Sequence, residues 1–171
     1  MIKKAASACI GALAVFWAPL ANAAAPGNAE ARVGFFRSCV LPVLATEMVP
    51  PRSFAQGVRD AASMFGYQPV DGSQDTWRIA SASGHVRIKL DGTTACLVTL
   101  SSEEGAEAFE GTVRSFNDPR KMCHPLISET DSARFSCALP SGATYQIDVS
   151  RSDLLQAETF TAIATYQGKA K

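Results

Sequence analysis

Hydrophobic and polar positions change their period along this chain, first at helical spacing and then at two. Between residues 31 and 47, Val33, Phe36, Val40 and Leu44 recur at helical spacing, with Cys39 beside that stripe. Pro42 falls inside the run and predicts a kink or split, because proline has no N–H to give the carbonyl four residues back. Pro50-Pro51 ends the segment, and Ser53 opens a second helix through a Ser-x-x-Gln capping box with Gln56. Ala55, Val58, Ala62 and Phe65 share one face of that helix, and Gly66 is its stop.

From Trp77 the period becomes two. Trp77 and Ile79 alternate with Arg78 and Ala80, Ser81–Gly84 reads as a turn, and Val86, Ile88 and Leu90 alternate with His85, Arg87 and Lys89. Asp91-Gly92 is a hairpin signal, and Cys96, Val98 and Leu100 form the inward set of a third strand. Ser101-x-x-Glu104 reads as a second capping box, opening a helix to Phe116 with the stripe Ala106, Phe109, Val113 and Phe116. Asn117-Asp118-Pro119 ends it, and a loop through Cys123 follows. Phe135, Cys137 and Leu139 mark a fourth strand, Pro140-Ser141-Gly142 a turn, Tyr145, Ile147 and Val149 a fifth strand, and Phe160 to Tyr166 a sixth. Gln167–Lys171 reads as a frayed tail.

Helix, helix, three strands, helix, three strands is an α+β order. It predicts a six-stranded antiparallel sheet with helices packed on one face and the other face open or partly open to solvent. Trp77–Leu90 and Arg134–Val149 read alike: strand, small-residue turn with glycine, strand. They fit two degenerate helix–three-strand repeats, although hairpins in general share this pattern.

The N terminus is of another kind. Lys3 and Lys4 precede an apolar stretch from Ala5 to Ala21, and Ala21-Asn22-Ala23 offers the small residues of a cleavage site. Residues 1–23 therefore read as a signal peptide, too short for a spanning anchor of roughly 20 apolar residues. Cys9 lies ahead of most of the apolar stretch, badly placed for a lipoprotein cysteine. Residues 24–30 read as a flexible leader and 31–171 as a single α+β domain, periplasmic and with no integral membrane segment after cleavage. Loss of Lys3 and Lys4 from 16 basic residues, against 16 acidic ones, leaves a slightly acidic chain. That balance argues against nucleic acid or anionic lipid as the main partner, since both require a concentrated positive field.

Four cysteines remain: Cys39, Cys96, Cys123 and Cys137. In an exported chain an even count points to disulfides, and spacing alone leaves three pairings open. Topology favours Cys39–Cys96, tying a helix to a strand, with Cys123–Cys137 as a local clamp. On the chain-entropy model the two are worth about 4 and about 3 kcal/mol. There is no Cys-x-x-Cys, and Cys123, His124 and Cys137 fit common zinc spacings poorly. No cofactor or metal is expected.

The layout resembles the helix-then-sheet units of the β-lactamase inhibitor protein fold, also exported, duplicated and disulfide-stapled. It also resembles small uncharacterised periplasmic proteobacterial proteins with a helix-borne Cys, a Trp opening a hairpin and a Cys in the next strand, here Cys39, Trp77 and Cys96. Neither resemblance carries a binding residue over.

Catalytic motifs such as Gly-x-Ser-x-Gly, His-Glu-x-x-His and the P-loop are absent from the sequence. Glu103, Glu104, Glu107 and Glu110 sit at a helix start, where negative charge favours the helix dipole. The aromatic residues Phe36, Phe65, Trp77, Phe109, Phe116, Phe135 and Tyr145 are assigned to the core. His85, Arg87 and Lys89 form a candidate interaction strip on the open sheet face, suited to an acidic protein partner in the cell envelope. The expectation is an exported periplasmic binding or interaction protein, such as an inhibitor or an envelope accessory factor. The alternative is a small periplasmic hydrolase in which His85 or His124 converges with a carboxylate or hydroxyl.

Overall fold

The computed structural model describes residues 27–48, 53–79, 86–101, 104–154 and 157–169. The signal at 1–23, the turn at 81–84 and His85 lie outside the described residues. Helix α1 (Gly27–Phe35), one π turn (Phe36–Val40) and helix α2 (Leu41–Met48) form an interrupted helix whose interruption has a cause in the sequence. Pro42 cannot donate to the Ser38 carbonyl, and the backbone just ahead of it has widened by one residue, with the Leu41 N–H bonded five residues back to the Phe36 carbonyl. The apolar stripe differs from the one read in the sequence. Ala31, Phe35, Cys39, Val40 and Val43 face the core, whereas Val33 is 45% and Phe36 40% exposed. A π turn breaks the 3.6-residue phase, and so a stripe read with one continuous period is wrong at its N-terminal end. The helix also begins at Gly27, inside the stretch read as leader.

Helix α3 (Phe54–Met64) starts and stops as its sequence directs. The Ser53 hydroxyl accepts from the Gln56 N–H at 3.2 Å. At the other end Gly66 adopts φ +68°, with Gly66 N–H on the Ser63 carbonyl and Tyr67 N–H on the Ala62 carbonyl. This Schellman closure needs a left-handed residue, and glycine adopts one without Cβ strain. Helix α4 (Gly105–Phe116) departs from its expected start. Ser101 remains the last residue of a strand, paired with Thr159, and so cannot cap; Glu104 occupies the cap position, and its side chain makes no capping hydrogen bond.

The sheet has eight strands rather than six: β1 (Gln68–Pro69), β2 (Thr76–Arg78), β3 (Val86–Asp91), β4 (Ala95–Ser101), β5 (Cys123–Ser128), β6 (Ser132–Ala138), β7 (Ala143–Leu154) and β8 (Ala157–Lys169). Their order is β1-β2-β3-β4-β8-β7-β6-β5, every pairing antiparallel. The two strands absent from the sequence reading are the two edges. Both carry proline, Pro69 and Pro125, and β5 shifts register between Pro125 and Ile127. Proline and bulges suit edges because no further ladder has to be donated to, and they discourage pairing with other chains. The tail is also more ordered than its composition suggested, since Lys169 still pairs with Ala143.

Both disulfides favoured by topology are present. Cys39–Cys96 joins the π turn to β4, with Cα atoms 5.2 Å apart. Cys123–Cys137 links directly opposed residues of β5 and β6. Cys39, Cys96 and Cys137 are fully buried. Two such bonds are compatible with an oxidising compartment. Among the described residues no helix is long and apolar enough to cross a membrane.

Strand alternation places Ile88, Val98, Ala162, Val149 and Ala133 in one inward row, and Leu90, Cys96, Ala164, Ile147 and Phe135 in the next. The buried stripes of α1–α2, α3 and α4 join the same core, so the helices lie on this face of the sheet. An edge-on contact of Phe35 with Phe116 and a tilted contact of Phe116 with Phe135 run from α1 through α4 to β6.

Candidate functional site

The other face of the sheet carries the alternate residues of each strand. Its central row runs from Thr76 and Lys89 through Leu97 and Ile163 to Asp148 and Arg134. A neighbouring row sets Arg78 opposite Arg87, then Thr99, Thr161, Ser150 and Ser132. Leu97, Thr99, Thr161 and Ile163 are half-buried in the middle of this face, while Arg78, Arg87 and Lys89 are exposed at its β2–β3 end.

The two ends of the face differ in their charge balance. At the β6–β7 end, Arg134 donates to the Asp148 carboxylate, which also accepts from the Gln146 amide at 2.7 Å; Gln146 in turn accepts from Gln167. That cation is compensated. At the β2–β3 end, Arg78 and Arg87 are directly opposed like charges, an arrangement that disfavours strand pairing. Arg78 donates to the Gln68 side-chain oxygen at 3.3 Å, and among the described residues neither arginine meets a carboxylate. Lys89 has a loose pair with Asp91 at 3.6 Å. The strip read in the sequence as His85, Arg87 and Lys89 is thus represented by Arg87 and Lys89, with Arg78 added across the strand pair and His85 outside the described residues. Arg78 was legible only once the β2–β3 register was fixed.

His124, the other histidine, is exposed on β5 opposite Ser136, and its side chain makes no hydrogen bond or ion pair among the described residues. Among those residues no three His, Cys, Asp or Glu side chains come together as a metal site would require. Burial pushes the Tyr67 phenol above its ordinary range, against the opposing pull of the Ser38 hydroxyl and Arg37; burial does the same to Tyr145.

A second feature lies in the helix layer, at a place no sequence motif marked. A groove of about 470 Å³ opens between α1 and α4, walled by Val33, Phe36 and Phe116 and edged by Arg32, Arg37 and Lys121. Phe36, read in the sequence as core, is part of this wall because of the phase change at the π turn. One signal for it was available: residues 31–46 carry Arg32 and Arg37 and no carboxylate.

No family model, curated protein or solved structure matches this chain.

Proposed function

We propose that the protein is an exported binding protein of the periplasm, whose open sheet face docks an acidic protein partner. The observation that carries this reading is the Arg78–Arg87 pair. Two opposed cations on a solvated face work against the strand pairing they sit on, and no carboxylate among the described residues offsets them. A partner's carboxylates would remove that repulsion on binding and steer the encounter. The half-buried Leu97 and Ile163 at the centre of the face, with threonines beside them, supply an apolar core for a contact with a polar rim. An inhibitor or an envelope accessory factor both fit this reading, and the two disulfides support an extracytoplasmic setting.

The test is charge reversal. Arg87→Glu with Lys89→Glu should weaken binding to the cognate partner at least about tenfold, and the wild-type affinity should fall steeply with salt. Unchanged affinity in the double variant, or binding insensitive to salt, contradicts the reading.

The chain topology also fits a degenerate duplication. Each half leads with helix into a four-stranded meander, and the last strands of the halves, β4 and β8, pair with each other. The disulfides are not equivalent between halves, so a copy would have diverged. Relatives whose halves align with one another would uphold this; halves that superpose only strand by strand, with the helices displaced, would count against it.

A further inference from the structure

The groove between α1 and α4 combines three properties rarely found together at a random surface. It is concave, and its volume of about 470 Å³ falls among small-molecule sites of roughly 300–1,000 Å³. Its walls are apolar, and two of them, Val33 and Phe36, are large side chains left in solvent. Its charged lining is of one sign, Arg32, Arg37 and Lys121, with no carboxylate.

The cations are also held in place. The Lys121 ammonium stands 5.6 Å from the Phe36 ring centroid and 5.2 Å from that of Phe116, between the two aromatic walls. Arg32 lies across Gly111 of α4: its guanidinium carbon and one nitrogen sit 2.7 Å from where a Cβ at 111 would be. Among the described residues Arg32 forms no hydrogen bond or ion pair, so none of its five donors is committed to them. Arg37, by contrast, is drawn over the Phe65 ring at 4.9 Å. The hydroxyls that line the groove donate elsewhere, Thr112 to the Ala108 carbonyl and Ser115 to the Gly111 carbonyl. Recognition of an anion therefore falls to Arg32 and Lys121.

We propose that this groove binds a small organic anion with an apolar body: a carboxylate held by Arg32 and Lys121, its hydrocarbon against Val33, Phe36 and Phe116. Charge complementarity selects the anion, and the exposed aromatic wall selects the body. An inorganic anion would leave the wall wet, and a neutral amphiphile would bring no negative charge to Arg32 and Lys121. This site lies on the helix side of the sheet and stands independently of the docking face described above.

The experiment is a titration of the folded, disulfide-intact protein followed by backbone amide NMR, with octanoate and 3-phenylpropanoate as aliphatic and aromatic carboxylates. The controls are 1-octanol and sulfate. Saturable shifts confined to α1, α4 and the Pro119–Lys121 turn are expected for at least one carboxylate, and the tighter of the two names the source class. Octanol and sulfate should each bind at least about tenfold more weakly. Arg32→Gln and Lys121→Gln should each cost about three- to tenfold, and Gly111→Ala should match Arg32→Gln by displacing the guanidinium while the spectrum shows an intact fold. Octanol or sulfate binding as well as the carboxylates overturns the proposal. So does the absence of shifts at about 10 mM carboxylate, beyond the millimolar range of weak specific binding.

Discussion

Arg32 occupies the space that a side chain at position 111 would fill, its guanidinium carbon 2.7 Å from an added Cβ. The absence of a side chain at one helix position thus sets the position of a cation on another helix. Gly111→Ala therefore separates two effects. Alanine favours a helix interior by about 0.5–1 kcal/mol over glycine, and the displaced group is the far end of a flexible, exposed side chain. The midpoint of thermal unfolding should hold or rise while carboxylate affinity falls. Differential scanning fluorimetry beside the NMR titration reads both, and a large loss of stability would show the guanidinium to be wedged rather than seated.

The two disulfides should contribute unequally. Cys39–Cys96 closes 57 residues and joins the helix layer to the centre of the sheet, whereas Cys123–Cys137 closes 14 and pins an edge strand to its neighbour. The chain-entropy model assigns about 4 and about 3 kcal/mol, and removing the first also disturbs two fully buried positions. Denaturant unfolding of the paired Ala variants should show the larger loss for Cys39→Ala/Cys96→Ala. Hydrogen exchange in Cys123→Ala/Cys137→Ala should accelerate in β5 first, since that strand buries almost nothing of its own.

The core and the surface ion pairs should respond on different scales. Phe135 is 1% exposed and its ring meets Phe116, which meets Phe35. Phe135→Ala should cost about 3–5 kcal/mol. Arg59 bonds the Asp75 carboxylate at 2.8 and 3.0 Å, tying α3 to the segment before β2, but both side chains are more than a third exposed. Arg59→Met should cost no more than about 1 kcal/mol, and urea titration of the two variants side by side checks both values.

Asp118 gives a pH prediction of definite sign. Its carboxylate accepts from the Arg120 side chain and from the Arg120 backbone N–H, and these bonds hold its pKa down at about 2, from an ordinary 3.8. A depressed folded-state pKa contributes stability that is present above the unfolded value and is lost as pH falls through the folded one, here between 3.8 and about 2. Asp118 caps a short surface turn, so the effect is local to Pro119–Lys121. Carboxyl ¹³C shifts should place its midpoint near 2, and Arg120→Gln should move it back towards 3.8, leaving only part of the depression.

Much of the architecture was legible because it rests on strong periodicity. Val86, Ile88 and Leu90, then Cys96, Val98 and Leu100, alternate because one face is buried, and burial is what a period of two records. β5 carries no such record: only Cys123 of its six residues is half-buried, and the strand is held by its ladder and its disulfide. β1 is two residues long and ends in proline, too short for any period. Val33 and Phe36 were assigned to the core because a single helical phase was carried through the π turn, although Pro42 marks a break in that helix. The groove was hidden for a different reason. Arg32, Gly111 and Lys121 are brought together only when α1 packs on α4, and the sequence holds no spacing that records such a contact. The cationic strip was half visible, since Arg87 and Lys89 share a strand, while Arg78 joins them only through pairing.

The proposed docking face is tested most directly by site-specific photo-crosslinking in cells that express the full chain, with a photoreactive residue placed at Thr161 in the middle of the open face or at the exposed Arg114 on α4. The expected result is one discrete adduct from position 161, lost when Arg87→Glu and Lys89→Glu are introduced together, and none of that mass from position 114. The same adduct from both positions, or an adduct from 161 that survives the charge reversal, would contradict docking through this face.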